Sequence, residues 1–276
     1  MNTFTYKVFI PLLLTNAEGN VYWSRFLEIL EEARDDFFRR YHPKLFQSIV
    51  AASIVPTQFK IKHIQEVFVG QTLSVHLELE DHGDHFVLKA DFKRDSQTVV
   101  LASQKISRLS SDNKMIPRDS NKFPFRELVQ PIKFSDIGIT GAAHWFQFAH
   151  WLGYRREEFI TKELPTVVQM MDEGLVIVTR ETSLELYQPV HIHDKLIVRI
   201  RINKIIGLKM TQLHVEFIRL NNGREELVAL GLQKLAYAKA NKPGTILIPT
   251  EFLQVGERYL ISRTGRTLSM LVGKFC

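Results

Sequence analysis

The chain has 276 residues, 45% hydrophobic and 24% charged, with a formal net charge of +6. That apolar content supports a substantial core and excludes a disordered chain. The single cysteine, Cys276, excludes an intramolecular disulfide framework and a multi-cysteine metal site, and fits a reducing, cytoplasmic setting. No apolar run reaches the length of a membrane span, so no membrane partner is expected. The basic residues are dispersed rather than blocked, and charge alone does not point to nucleic acid.

The first apolar run, Val8 to Leu14, is interrupted by Pro11 and preceded by only one basic residue, Lys7. It reads as a first strand rather than a signal peptide. A turn around Gly19 follows, and then an amphipathic stretch. Phe26, Ile29, Leu30, Ala33 and Phe37 fall at i, i+3, i+4, i+7 and i+11, which predicts a helix with one buried stripe. Glu28, Glu31, Glu32, Arg34 and Asp35 occupy much of the remaining circumference. Residues 59–79, 85–95 and 98–109 alternate apolar and polar side chains and read as strands. Asp81-His82-Gly83-Asp84 marks a hairpin turn. The polar segment 108–124, with Pro117 and Pro124, reads as a linker.

The second half repeats the first. Gly19 matches Gly141, Leu30 matches Leu152, Arg34 matches Arg156 and Phe37 matches Phe159, each pair 122 residues apart. Phe148, Trp151, Leu152, Arg155 and Phe159 repeat the helical steps. Strand patterns follow over 183–202, 208–220 and 226–238, with a turn at Asn221-Asn222-Gly223, and a Gln-Lys pair recurs at 104–105 and 233–234. Such periodicity marks a duplicated unit. The expected division is 1–118 and 119–276. Residues 242–276 lack a counterpart and read as an extension packed on the second unit. The expected class is α+β, with two antiparallel sheets each wrapped around a central helix. Open sheet edges favour joining the copies as an intramolecular pseudo-dimer.

Thr15-Asn16-Ala17-Glu18-Gly19-Asn20-Val21-Tyr22, followed by the helix and its strands, resembles the hotdog fold. Within it the chain resembles acyl-thioester hydrolases of the 4-hydroxybenzoyl-CoA thioesterase type, whose loop is D-x-D-x-x-G-x-V-x-Y. The first copy looks closer to the thioesterases of enediyne polyketide pathways, with a loop similar to T-N-x-x-G-N-V-Y. The resemblance covers roughly 5–110 and 127–240 and implies a double hotdog. It implies hydrolysis of an acyl-CoA or acyl-carrier-protein thioester, in fatty-acid or polyketide metabolism, with no cofactor. Further assembly into a homo-oligomer of such chains is compatible with it.

The family's usual carboxylate falls on Asn16, which cannot ionise, and on Gly138 in the second copy. A helix tyrosine of the enediyne enzymes falls at Phe26. The resemblance makes Asn16 and Arg34 the catalytic candidates, Asn16 to hold water and Arg34 to stabilise negative charge. Gly19, Asn20, Val21 and Tyr22 are the substrate-binding candidates, with the backbone N–H groups of 19–21 facing the thioester oxygen. Each residue has a plainer reading: Asn16 as a helix cap, Arg34 as an ion-paired helix residue, Tyr22 and Trp23 as core or channel lining. Glu28, Glu31 and Glu32 are either a helix-borne acid or base or a solvated face. His144 either polarises a carbonyl or packs. The stretch His191-Ile192-His193-Asp194 could place two imidazoles on one strand face, but further ligands are not evident, and no metal is expected. The competing functions are a hydratase or dehydratase on the same fold and a non-catalytic acyl-binding module.

Overall fold

The computed structural model describes residues 4–14, 21–109, 126–138, 140–240, 244–250 and 252–253. Contacts divide the chain into two compact units. The first comprises residues 1–113, 132–150 and 181–194. The second comprises residues 114–131, 151–180 and 195–276. The units interleave in sequence, so the first draws on residues from both copies of the repeat.

In the first unit, β1 (Phe4–Phe9) pairs with β3 (Thr72–Asp81), β3 with β4 (Phe86–Arg94), β4 with β5 (Gln97–Ser107), and β5 with β2 (Val55–His63), all antiparallel. Residues 181–185, the C-terminal part of β7 (Leu175–Leu186), add to the other edge of β2, with Phe59 opposite Leu184. The period of two buries Val75, Leu77, Leu88, Ala90, Phe92 and Ala102 on one face. Both Val99 and Val100 are buried because the register shifts there: Phe92 faces Val100 while Lys93 faces Thr98. The extra residue is a β-bulge. A second bulge falls beside Pro56, which has no N–H to donate to a ladder.

Helix α1 (Arg25–Tyr41) packs on the buried face of this sheet. It starts at Arg25 rather than next to Gly19, because Val21 and Tyr22 are held in extended pairing. The N–H of Val21 donates to Val67 O (2.8 Å) and that of Tyr22 to Leu14 O (3.2 Å). The buried surface is wider than one stripe, taking in Leu27, Phe38 and Arg34 as well as the expected residues. Phe26 lies edge-on to Phe92 (5.5 Å) and Phe37 lies against Phe4 (5.5 Å). Helix α2 (Pro43–Val50) begins on a proline, where a missing N–H costs nothing, and buries none of its residues.

In the second unit, β6 (Arg126–Gln130) pairs with β8 (Lys195–Ile206), β8 with β9 (Met210–Asn221), and β9 with β10 (Arg224–Lys239), again antiparallel. Helix α3 (Gln147–Glu163) runs from the first unit into the second, and α4 (Pro165–Asp172) follows it. Trp151, Leu152, Phe159, Val198, Ile200, Val215 and Phe217 are buried here. The hairpin turn takes Asn222 at φ 49° and Gly223 at φ 78°, the pair of left-handed residues such a turn requires. The described part of the extension belongs to this unit, with Phe252 against Tyr237 (4.8 Å). Among the described residues no helix is long and apolar enough to cross a membrane.

Phe37 is 1% exposed and bounded by Phe4, Phe38, Tyr41 and His42. Truncation to alanine leaves a cavity that these rings cannot fill. Phe37→Ala is expected to lower stability by about 3–5 kcal/mol, read as a lower urea midpoint with an unchanged m-value.

Candidate active site

The wall of the candidate site on α1 begins with Arg34. Its side chain is 2% exposed. Its Nε and Nη2 donate to Asp35 Oδ1 (2.9 and 2.7 Å), Nη1 donates to Gln104 Oε1 (3.3 Å), and Nη2 approaches Glu31 Oε1 at 3.4 Å. A guanidinium removed from water needs such partners, since an unpaired buried charge is strongly destabilising. The same device recurs in the second unit. Arg156 donates to Gln233 Oε1 (3.1 Å) and Thr179 Oγ1 (2.8 Å) and lies beside Glu157. The repeated arginine of the helix thus meets the repeated glutamine of the last strand in each unit. Arg34 therefore has a structural duty whatever its chemistry.

The opposing wall is the segment from Asp136 to His144. It folds back on itself, with Gly138 N–H donating to Ala142 O (2.9 Å), His144 N–H to Asp136 O (3.0 Å) and Ala143 N–H to Val190 O (2.7 Å). Gly141 sits at φ 76°, a conformation glycine adopts at no steric cost. Asp136 is engaged through Oδ2, which accepts the N–H of Lys133 (2.9 Å). This fold-back turns His144 towards α1, with Nδ1 3.7 Å from Glu31 Oε1. The Glu31 contact raises the imidazole pKa above its ordinary value. Burial and Arg34 oppose that effect, and Asp35 adds to it. The other carboxylate oxygen, Glu31 Oε2, is buried without a hydrogen-bond partner among the described residues.

A cavity of about 320 Å³ lies between these walls, within the first unit. Glu31, Arg34, Asp35, His144, Gln188 and His191 line its polar side, and Ile49, Val50, Val55, Pro56, Trp145, Phe148 and Leu186 line the apolar side. Helix α2, left unburied, supplies Ile49 and Val50. His191 is fixed by a 2.8 Å hydrogen bond between its Nδ1 and Gly141 O. It lies in the turn before β8 rather than on a strand face with His193. Asp194 closes that turn, Oδ2 accepting the His191 N–H (2.8 Å). A broader hollow of about 670 Å³ lies on the outer face of the first sheet, lined by Lys60, Lys62, Glu78, Lys89 and Asp91. Lys60 pairs with Glu181 and Lys89 with Glu80, so this hollow reads as a solvated sheet face.

Next to the cavity, the start of α1 is tied to the first turn of α3. The Ser24 hydroxyl and His150 Nδ1 share a 2.9 Å hydrogen bond, and His150 Nε2 meets Glu28. Burial pushes the Glu28 carboxyl up, but His150 and Arg25 outweigh it and hold the group below the usual carboxylate range. Ser24 is fully buried, so its hydroxyl fastens the two helices together.

Of the residues expected from the sequence, Arg34 lines the cavity. Asn16, Gly19 and Asn20 lie outside the described residues. The N–H of Val21 is engaged with Val67 and that of Tyr22 with Leu14. An engaged donor cannot serve a thioester oxygen, so the expectation of a free donor at Val21 is corrected. Glu31 and His144 were left between two readings by the sequence. They meet only because α1 and the fold-back segment pack together, 113 residues apart in the chain.

No protein-family model and no curated protein matches the chain. Solved structures do. One is described as an oleoyl thioesterase from Lactobacillus plantarum (TM-score 0.66, 10% identity, 87% of this chain and 98% of that one). A second is an acyl-ACP thioesterase from Bacteroides thetaiotaomicron (TM-score 0.60, 13% identity, 86% and 98%). A third is a 12:0-ACP thioesterase from Umbellularia californica (TM-score 0.63, 9% identity, 86% and 94%). At these identities the likeness is one of fold: this chain shares the antiparallel sheet and packed helices of those structures.

Gln104→Leu removes the acceptor of the Arg34 Nη1–H while leaving the shape of the strand intact. It is expected to cost about 1–3 kcal/mol, the penalty of a buried donor left without a partner. Chemical denaturation of the variant checks this.

Proposed function

We propose that the chain is an acyl thioester hydrolase acting on an acyl-CoA or acyl-carrier-protein thioester. The observation that carries this reading is the cavity beside α1. It has an apolar side long enough to take an acyl group and a polar side where a buried guanidinium, an imidazole and a carboxylate converge. Ligand pockets commonly span about 300–1,000 Å³, so a cavity of about 320 Å³ suits an acyl group but not a whole CoA. The carrier arm would remain outside. The shared fold supports the reading, since the similar structures bear the names of acyl-ACP and oleoyl thioesterases.

Hydrolysis requires charge stabilisation on the carbonyl oxygen and an oriented water. Arg34 supplies positive charge at the polar side, and Asn16 is the candidate for holding water. Gly19, Asn20, Val21 and Tyr22 remain the candidate substrate-binding stretch, through side chains and through the donors of Gly19 and Asn20. The net charge of +6 would favour an acidic carrier protein or the phosphates of CoA. The finer architecture belongs to the same proposal: two repeats, 1–118 and 119–276, forming a double hotdog of two sheets joined as a pseudo-dimer. The matched Arg34–Gln104 and Arg156–Gln233 pairs support it.

The Glu31–His144 pair also favours a second reading, a hydratase or dehydratase on the same fold. A carboxylate and an imidazole facing one cavity can move a proton α to a carbonyl.

A panel of acyl-CoA and acyl-carrier-protein thioesters, varied in chain length and β-substituent, tests the proposal by thiol release. At least one member is expected to be turned over. Asn16→Ala is expected to lower kcat/KM about 10²–10³-fold with a thermal melt close to wild type, whereas Arg34→Lys is expected to lower both activity and the melting temperature, because a lysine cannot keep the Asp35 and Gln104 bonds together. Loss of enoyl absorbance without thiol release would favour the hydratase. Saturable acyl binding without either reaction would favour a binding module.

A further inference from the structure

We propose that His144 is the general base of the cavity and that Glu31 is the positioning residue that orients its imidazole. The assignment rests on the hydrolase reading above. It starts from a vacancy in the repeat. Gly138, the counterpart of Asn16, has no side chain to offer. A Cβ built on Gly138 would lie 2.9 Å from both Cε1 and Nε2 of His144, so the imidazole occupies the space that a side chain at 138 would need. The polar group that the second copy lacks at the loop is thus supplied six residues later, from the same fold-back.

The ring is held in three ways. Its backbone N–H donates to Asp136 O (3.0 Å), it stacks on Phe146 (5.1 Å between centroids, 22° between planes), and Nδ1 faces Glu31. Nδ1 lies 3.7 Å from Glu31 Oε1, and the assignment places its N–H towards that carboxylate, which leaves Nε2 to accept a proton. The His144 side chain is 39% exposed, so water reaches it, whereas Glu31 is 16% exposed and its Oε2 is buried. That difference separates the base from the group that orients it.

The groups facing the imidazole are Glu31, Arg34 and Asp35 from α1. On its own segment Asp136 is engaged with Lys133, and His191 enters the cavity from the turn before β8. The positions matching Glu31 and His144 at the 122-residue offset are Gly153 and Tyr22. Neither titrates near neutrality, so the repeat does not encode a second pair.

In the step assigned to it, Nε2 of neutral His144 takes a proton from water as the water oxygen bonds to the thioester carbonyl carbon. The tetrahedral oxyanion then reforms the carbonyl, the C–S bond breaks, and the leaving thiolate takes the proton from the imidazolium. One water and one thioester give one acid and one thiol, with the histidine restored.

The test is the pH profile of kcat/KM for the best panel thioester, with wild type, His144→Gln and Glu31→Gln, alongside NMR titration of the histidine C–H signals. A base works only when deprotonated, so wild-type activity is expected to rise through the His144 pKa. The carboxylate raises that pKa, so its removal lowers it. Glu31→Gln is therefore expected to move both the acidic limb and the His144 titration to lower pH. His144→Gln is expected to abolish the limb and lower activity about 10²–10⁴-fold. Wild-type rates in His144→Gln, or an unmoved limb in Glu31→Gln, overturn the assignment alone. Absence of thiol release from every thioester by the wild-type protein overturns the hydrolase reading and this assignment together.

Discussion

The buried guanidinium of Arg34 constrains the first unit more than any other single group. Its bond to Gln104 ties α1 to β5, and Asp35 on its own helix holds the guanidinium in place for that bond. One helical turn earlier, the helix so tied turns Glu31 towards the cavity. A residue that satisfies a packing requirement thereby sets the electrostatics of the site. Burial makes the arrangement demanding, because the charge must keep its partners or be lost to water. Chemistry and packing are therefore coupled at this position, and substitutions there disturb both.

The recurrence of the motif at Arg156, Gln233 and Thr179 gives the duplication a physical meaning. Both copies retain the helix-to-strand tie that stabilises a wrapped helix. They differ at the places a ligand would meet. Glu31 matches Gly153, His144 matches Tyr22, and Asn16 matches Gly138. The matched positions thus agree at the arginine and glutamine of the tie and differ at these polar positions.

Periodicity carried most of the architecture. Spacing of 3.6 located α1 and α3, and spacing of two located the strands, because each element has one face in a core. The small helices α2 and α4 escaped notice. Each is only eight residues long and begins on a proline, Pro43 or Pro165, too short a stretch for a clear 3.6-residue period. The onset of α1 was misjudged because the turn at Gly19 was read as leading straight into the helix, whereas the Val21 and Tyr22 N–H groups are engaged by Val67 and Leu14. Arg34 was legible through its repeat. Glu31 and His144 were not legible as a pair, since proximity across 113 residues leaves no local pattern. A helix glutamate surrounded by Glu28, Glu32 and Asp35 looks like a solvated face until the opposing segment is known.

The interleaving of the first unit limits where this chain can be divided. That unit takes its outer strand from residues 181–185 and its histidine-bearing segment from 132–150. A gene cut between the repeats would strip both from the amino-terminal product, leaving the flank of β2 bare and the cavity without its opposing wall. Separated from the rest of the chain, the amino-terminal stretch would lack both an edge strand and one side of its pocket.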